Sequence, residues 1–242
     1  MPHFKNYPKV LYRFGNEIDP VVTQNLGTYV DIIDQVKDDI TIYSDYTVLD
    51  GDRPDILSYR MYGDIRYYWL FYYVNDNIKE EGWPLTAQEV FEQMKKYYPH
   101  QYIRTYNNWF KSNFKIGNRA TGKSSAAFGN IVQTQPDLGQ IIVNVQNDRV
   151  FQKSEIVEAG FGFFNPDTLG IQRTGPQYDA IHHYEDATGR YVDINPLEEP
   201  SGVTPVTFSD RFIIENEKRK RIKIIKPDVI GQIYSEFNKA LR

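Results

Sequence analysis

Residues Tyr67 to Val74, Tyr-Tyr-Trp-Leu-Phe-Tyr-Tyr-Val, form an unbroken run of apolar and aromatic side chains. Folded as a helix, such a run is apolar on every side and has to be covered on every side. It lies within Tyr46–Asp76, where the chain concentrates more buriable surface than anywhere else. Tyr46 to Leu49 alternate as a short strand, Asp50-Gly51-Asp52 turns, and Gly63-Asp64 marks a second turn. Between the turns, Pro54 takes the first position of a helix, where its missing N–H costs nothing. Ile56, Leu57, Tyr59 and Met61 supply the buried side of that helix, Pro54–Tyr62. A module this small has little of its own chain left to meet the far face of the aromatic run. Each aromatic can bury roughly 150–250 Å², so several exposed together exceed the few hundred Å² of apolar patch that a monomer usually shows. The run therefore implies a docking surface, either for other parts of this chain or for another protein.

Tyrosine leads the aromatic count, with 19 Tyr, 14 Phe and 3 Trp among 242 residues. Tyr and Trp pair an apolar body with a polar tip, which suits either a Tyr-rich core or a surface buried on association. The net charge of −4 provides no global basic field for nucleic acid or an anionic membrane. Cysteine is absent, which removes disulfides, thiolate zinc sites and thiol catalysis. The N-terminal stretch lacks the apolar core and cleavage site of a signal peptide, and the longest apolar run falls far short of a membrane span. The expectation is a soluble product that is not exported by the general route.

Along the chain, residues 1–43 read as an extended, aromatic-dotted arm followed by a helix over Thr28–Asp38. Asp31, Asp34 and Asp38 lie on one side of that helix, as a solvated face and not a metal cluster. Ile40–Tyr43 and Tyr46–Leu49 are strand-like. Gly82-Trp83-Pro84-Leu85 is a stop, and Thr86-Ala87-Gln88-Glu89 reads as a capping box. The helix it opens carries Ala87, Val90, Phe91, Met94, Tyr97 and Tyr98 at helical spacing and ends at Pro99. Residues 100–175 change texture to Gly, Asn, Gln and Thr between short alternating runs such as Gln140–Val145, a small all-β insert. Over 176–242 there come a hairpin, Ile181–Ile194, turning at Asp186–Gly189, then a Pro-rich connection at 195–210. A strand at Arg221–Ile225 precedes a helix from Pro227, with Ile230, Ile233, Tyr234, Phe237 and Leu241 on one face. The fold class is α+β, with 44–99 holding the aromatic module and its following helix.

The sharpest motif is Gly117-Asn-Arg-Ala-Thr-Gly122-Lys123-Ser124, a full G-x-x-x-x-G-K-[ST] match. A phosphate loop needs a hydrophobic strand before it and a helix after it, yet Gly129 and Pro136 interrupt the stretch where that helix would lie. It reads as a glycine-rich turn, with no nucleotide. His182 and His183 are adjacent; in a strand they point to opposite faces and do not share a metal. The basic run Glu217–Arg221 could grip phosphate, but reads as a solvated edge that blocks stray pairing. No catalytic, cofactor-binding or metal-binding residue is assigned, and no Ser/His/Asp arrangement has support.

Tyr46-Thr47-Val48, Gly51-Asp52 and two helices closing on Asn75 resemble a LysM domain, a βααβ module known for binding peptidoglycan and chitin. The likeness extends further. Arg53-Pro54, Tyr62-Gly63, Tyr68-Trp69 and Asn75-Asp76, followed by Gly82-Trp83-Pro84-Leu85-Thr86, resemble the LysM-like baseplate wedge subunit of T-even-type contractile-tailed phages, the gene fifty-three product family. Asn216–Ile225 and its following helix are similar to that family's C-terminal strand and helix, and the hairpin Ile181–Ile194 corresponds more loosely. Residues 100–175 have no counterpart in the resemblance. It implies a LysM-like βααβ module in a non-enzymatic virion protein of the tail baseplate, assembled in the host cytoplasm. That protein would clamp the wedge core bundle, contact a sheath-initiator-like subunit and join neighbouring wedges. A glycan-binding LysM module of a tail protein is the alternative. On this reading Tyr62, Tyr68, Trp69, Tyr72, Tyr73 and Trp83 shape and anchor the module, with Arg219 and Arg221 beside them at a partner interface. Trp69→Ala is then expected to block wedge assembly.

Overall fold

The computed structural model describes residues 7–15, 19–25, 40–105, 113–160, 166–195 and 200–240. The helix anticipated at Thr28–Asp38 lies outside the described residues, as does Leu241. The fold is α+β, as the sequence implies, and divides into two compact units: Met1–Ala87 with Asn216–Arg242, and Gln88–Glu215. The units are therefore not consecutive spans. Residues 44–87 and 216–240, placed in separate segments by the sequence reading, share one core.

In chain order, β1 (Lys9–Tyr12) and β2 (Val21–Gln24) form an antiparallel ribbon, and β3 (Tyr43–Thr47) begins the aromatic module. Helices α1 (Pro54–Tyr62), α2 (Tyr68–Val74), α3 (Asp76–Glu81) and α4 (Ala87–Tyr97) follow. The second unit then supplies β4 (Gln101–Arg104), β5 (Arg119–Gly122), β6 (Phe128–Gln135), β7 (Gln140–Val145), β8 (Ile156–Ala159), β9 (Asp167–Gly170) and β10 (Arg173–Pro176). It continues through β11 (Ile181–Glu185), β12 (Tyr191–Val192) and β13 (Thr204–Thr207). Helix α5 (Phe208–Lys220) returns the chain to the first unit, which ends with β14 (Arg221–Ile225) and α6 (Ile230–Ala240).

In the first unit β3 and β14 pair antiparallel, from Arg221 opposite Thr47 to Ile225 opposite Tyr43. Only one strand forms where two short ones were expected. Residues Ile40–Ile42 make a 3₁₀ turn, and the pairing ends where the Lys226 N–H reaches the Ile42 carbonyl at 2.8 Å. Beyond Thr47 the Leu49 N–H is captured by the Asp52 carboxylate at 3.0 Å, which turns the chain towards α1. Helix α1 spans the expected residues and ends at Gly63, whose left-handed backbone (φ 71°) lets its N–H reach the Tyr59 carbonyl.

Helix α2 is covered on more than one side. Phe71 packs with Val48, Leu57, Ile78, Ile222 and Ile224. Trp69, Leu70 and Val74 pack with Tyr43, Ile225 and the α6 residues Ile230, Ile233 and Phe237. Strand, two helices and strand thus make one module whose closing strand comes from the far end of the chain.

Two asparagines join these distant segments. The Asn75 side chain accepts the Lys223 N–H at 2.7 Å and donates to the Lys223 carbonyl at 2.8 Å, so it pairs with β14 as another strand would. Asn216 does the same to Leu85, accepting its N–H at 2.8 Å and donating to its carbonyl at 3.0 Å. Both are buried, at 7% and 3% exposure, where an unmet backbone polar group is costly.

The second unit is built on a seven-stranded antiparallel sheet in the order β10-β4-β7-β6-β5-β8-β9. Ile103, Ile131, Ile141, Val143, Phe151 and Val157 are among its core residues. The hairpin of β11 and β12 forms at the expected place, its turn held by Asp186, whose carboxylate accepts the Thr188 and Arg190 N–H groups. Helix α5 was not anticipated, because residues to 210 read as connection and 217–221 as an edge. Its apolar stripe is weak: Ile213 and Ile214 are exposed, and Asn216 alone is fully buried. Its start is nevertheless marked by a reciprocal Thr207/Asp210 cap, with Thr207 N–H on the Asp210 carboxylate at 2.9 Å and Asp210 N–H on the Thr207 hydroxyl at 3.1 Å.

Replacing Asn75 with Ala leaves the N–H and carbonyl of Lys223 without their part-buried partner. Urea unfolding should lose roughly 2–3 kcal/mol relative to wild type, and an unchanged midpoint would show that this side chain does not close the module.

Candidate functional site

Six aromatic residues singled out by the sequence come together around α2; Trp69 is buried, and Tyr62, Tyr68, Tyr72, Tyr73 and Trp83 are half-buried. Trp69 is 3% exposed; its ring lies 4.4 Å from Phe237 and 5.1 Å from Tyr73, centroid to centroid. The Tyr73 hydroxyl meets that of Tyr7 at 2.7 Å, and burial together with this bond pushes the Tyr7 phenol pKa upwards. Tyr62 stacks on Phe71 and donates to the Ile225 carbonyl at 2.9 Å, while burial raises its pKa. Tyr68 packs, half-buried, against the core formed by α2 and α6. The surface implied by the aromatic run is therefore met by this chain's own α6, and Trp69 is a core residue of the module.

Trp83 lies between the turn after β3 and helix α2 and is half-buried there. The Trp83 indole N–H donates to the Asp52 carbonyl in the turn at 2.6 Å. Its ring packs on Phe71 and on Tyr72 of α2, each at 5.9 Å. The Ala87 N–H, bound to the Asp50 carboxylate at 3.1 Å, ties the segment after Trp83 to the same turn.

The turn itself is organised by Asp52, to which the sequence reading assigned no role beyond the turn and the resemblance. Its carboxylate accepts from Tyr46 at 3.0 Å, from the Leu49 N–H at 3.0 Å and from Arg60 at 2.9 Å. Burial alone would raise the Asp52 pKa, but the bonds from Arg60, Leu49 and Tyr46 outweigh it and hold the group below the usual carboxylate range. The turn is thus firmest above the ordinary carboxylate pKa and loosens as the pH falls through the lowered one.

The basic run does not form a strand edge. Residues 217–220 are the last turn of α5, and Arg221 opens β14. The Arg219 side chain, only 12% exposed, donates to the Glu81 carbonyl at 3.0 Å and to Asn216 at 3.2 Å, so it braces α3 against α5. Arg221 is exposed and stands with Asp45, Asp76 and Lys223 around a cleft of about 620 Å³ beside the β3–β14 pair. The mixed charges of this cleft favour neither an anion nor a cation.

Residues Gly117–Ser124 form a turn, strand β5 and a second turn, with β6 in place of the helix a phosphate loop needs. The N–H groups of Ser124 and Ser125 bind the Glu155 carboxylate at 3.2 and 2.9 Å, and Lys123 pairs with Glu158 at 2.6 Å. A Cβ at Gly122 would lie 2.5 Å from the Ser125 hydroxyl and 2.7 Å from Glu155, so glycine here makes room for an internal carboxylate. The donors that would cradle a phosphate are occupied by this chain.

Among the described residues no group of three or more His, Asp or Glu is arranged to hold a metal ion, and no helix is long and apolar enough to cross a membrane. His182 and His183 depart from expectation. A bulge in β11 between Ile181 and His183 turns both rings together, with their Nδ1 atoms 2.9 Å apart. Strand alternation fails where the bulge inserts an extra residue into the ladder.

Phe237→Ala should cost about 3–5 kcal/mol by opening a cavity against Trp69, with a red shift in tryptophan emission. Wild-type stability and emission in this variant would mean that α6 does not seal the aromatic core. Neither family models nor curated proteins give a match to the chain.

Proposed function

We propose that the chain is a non-enzymatic structural subunit of a phage tail baseplate wedge. On this reading it clamps the wedge core bundle and promotes association between neighbouring wedges. The observation that carries the reading is where the two resembling blocks meet. Asn75, the closing residue of the first, holds Lys223 of the second. Asn216, the opening residue of the second, holds Leu85 in the segment after the first. Tyr62 of the Tyr-Gly turn likewise donates to Ile225. Residues on which the likeness rests are thus the ones that join segments 131 to 163 positions apart, as expected of blocks that belong to one ancestral module.

Trp83 counts against the glycan-binding alternative, because it ties together the turn after β3 and α2, between which such a module would take a sugar. A clamp works by buried area and shape around a few anchors, and a module whose interior is sealed by its own chain presents a rigid face for that purpose. With Trp69 internal, the contact residues are those still exposed on the module. Ile56 and Tyr59, expected on the buried side of α1, are instead 53% and 63% exposed and lie three positions apart on one helical face, while Leu57 and Ser58 are buried.

Mixed with the purified wedge proteins of a contractile-tailed phage, the chain should co-sediment with assembled wedges. Ile56→Ser with Tyr59→Ser should weaken that association at least tenfold and leave the circular dichroism unchanged. Retention on purified peptidoglycan at low micromolar affinity, without wedge association, would favour the glycan-binding module instead.

A further inference from the structure

The histidine pair in the second unit forms a directional chain of hydrogen bonds that a single protonation pattern satisfies. Arg211 of α5 lies with Nη1 2.8 Å from His182 Nε2. A guanidinium can only donate, so His182 Nε2 must accept, and the His182 proton sits on Nδ1. That N–H points at His183 Nδ1, 2.9 Å away, which therefore accepts. The His183 proton is then on Nε2, from which it donates to Glu185 at 3.0 Å. Arg211, His182, His183 and Glu185 are linked in one direction, with both imidazoles neutral. Ring packing holds the pair in place: His183 stacks on Tyr191 at 5.1 Å, and His182 meets Phe208 edge-on at 5.1 Å.

From this geometry we infer that His182 and His183 form a proton-sensitive latch joining β11 to the first turns of α5, closed at neutral pH and opened by mild acid. A further proton has no satisfactory place to go. On His182 Nε2 it would face the Arg211 guanidinium, and on His183 Nδ1 it would face the His182 N–H. Either places donor against donor, and the first also sets cation against cation.

The charged and titratable groups around the pair divide by element. Arg211 and Glu215 come from α5, Glu185 from β11 and Tyr191 from β12, while Asp137 and Asp193 line the adjoining cleft of about 550 Å³ beside His182. Strand β13, Thr-Pro-Val-Thr, contributes none. Glu215 favours a charged His182, but burial, Arg211 and His183 act the other way and together lower its pKa. A histidine lowered in the fold stabilises it above the ordinary histidine pKa, and that stabilisation is lost as the pH falls through the lowered value. The same donor logic disfavours a metal between the rings, because Arg211 keeps the His182 proton on the Nδ1 that would have to bind it.

Hydrogen exchange on the full chain, corrected for intrinsic rates, tests the latch at pH 7.5 and pH 5.5. Protection over 181–185 and 204–211 should fall roughly tenfold at the lower pH, the equivalent of one pKa unit of coupled protonation. The β6–β7 pairing should not change. His183→Asn keeps an acceptor near the Nδ1 position without a titrating ring, and should flatten the dependence. Equal protection at both pH values, an undiminished dependence in His183→Asn, or a zinc-induced rise in protection at pH 7.5 would each overturn the proposal. Should that variant not fold, NMR titration of the wild-type His182 ring decides the matter: a midpoint below about 6.5 supports the latch, and one at or above it contradicts it.

Discussion

The antiparallel pairing of β3 with β14 is the contact on which the first unit depends. It brings Ile222, Ile224 and Ile225 against α1 and α2, and it delivers α6 to Trp69. Residues 88–215 form a separate unit between the two strands, yet the entropic penalty for so long an insertion grows only with the logarithm of its length. The points at which the chain leaves and returns are the ones that must be secured. Asn216 fixes them by bonding both backbone groups of Leu85, and Asn75 supports the exposed side of β14 in the same manner. An amide side chain is the one uncharged group able to donate and accept in the pattern of a neighbouring strand, which is why asparagine serves at both joints.

A closed module changes what its aromatic residues contribute. Trp69 and its neighbours give the unit a stiff interior, while any contact with other proteins falls to residues on its outside. The same sealing applies to the two ligand sites suggested by local sequence. The Trp83 indole N–H is taken by the Asp52 carbonyl, and the Ser124 and Ser125 N–H groups by the Glu155 carboxylate. In both places the chain satisfies its own donors.

The sequence made the local elements of the first unit legible, because its signals are local. Pro54 and Gly63 bracket α1, and the alternation in Arg-Ile-Lys-Ile-Ile defines β14. The partner of β14 was not legible, since no feature of a strand names a mate 174 to 182 positions away. That gap is why the aromatic run read as an excess of surface: α6 was recognised, but not its place. Helix α5 was hidden by a weak apolar stripe, although its Thr207-x-x-Asp210 cap was there to be read. The histidine pair eluded a strict two-residue alternation because a bulge, which leaves no composition signal, rotates one ring onto the face of the other. For the candidate site, the sequence identified which aromatics gather but not which way they face, because that depends on the elements covering them.

The claim that matters most is that residues 216–240 are a structural part of the module formed by 40–87. Hydrogen exchange on a chain ending at residue 215 tests it most directly. The account predicts that α1 and α2 lose protection throughout, with Trp69 and Trp83 emission shifting to that of exposed indole, while the seven-stranded sheet of the second unit stays protected. Native protection over 43–81 in the shortened chain would contradict it, for the module would then close without its distant strand.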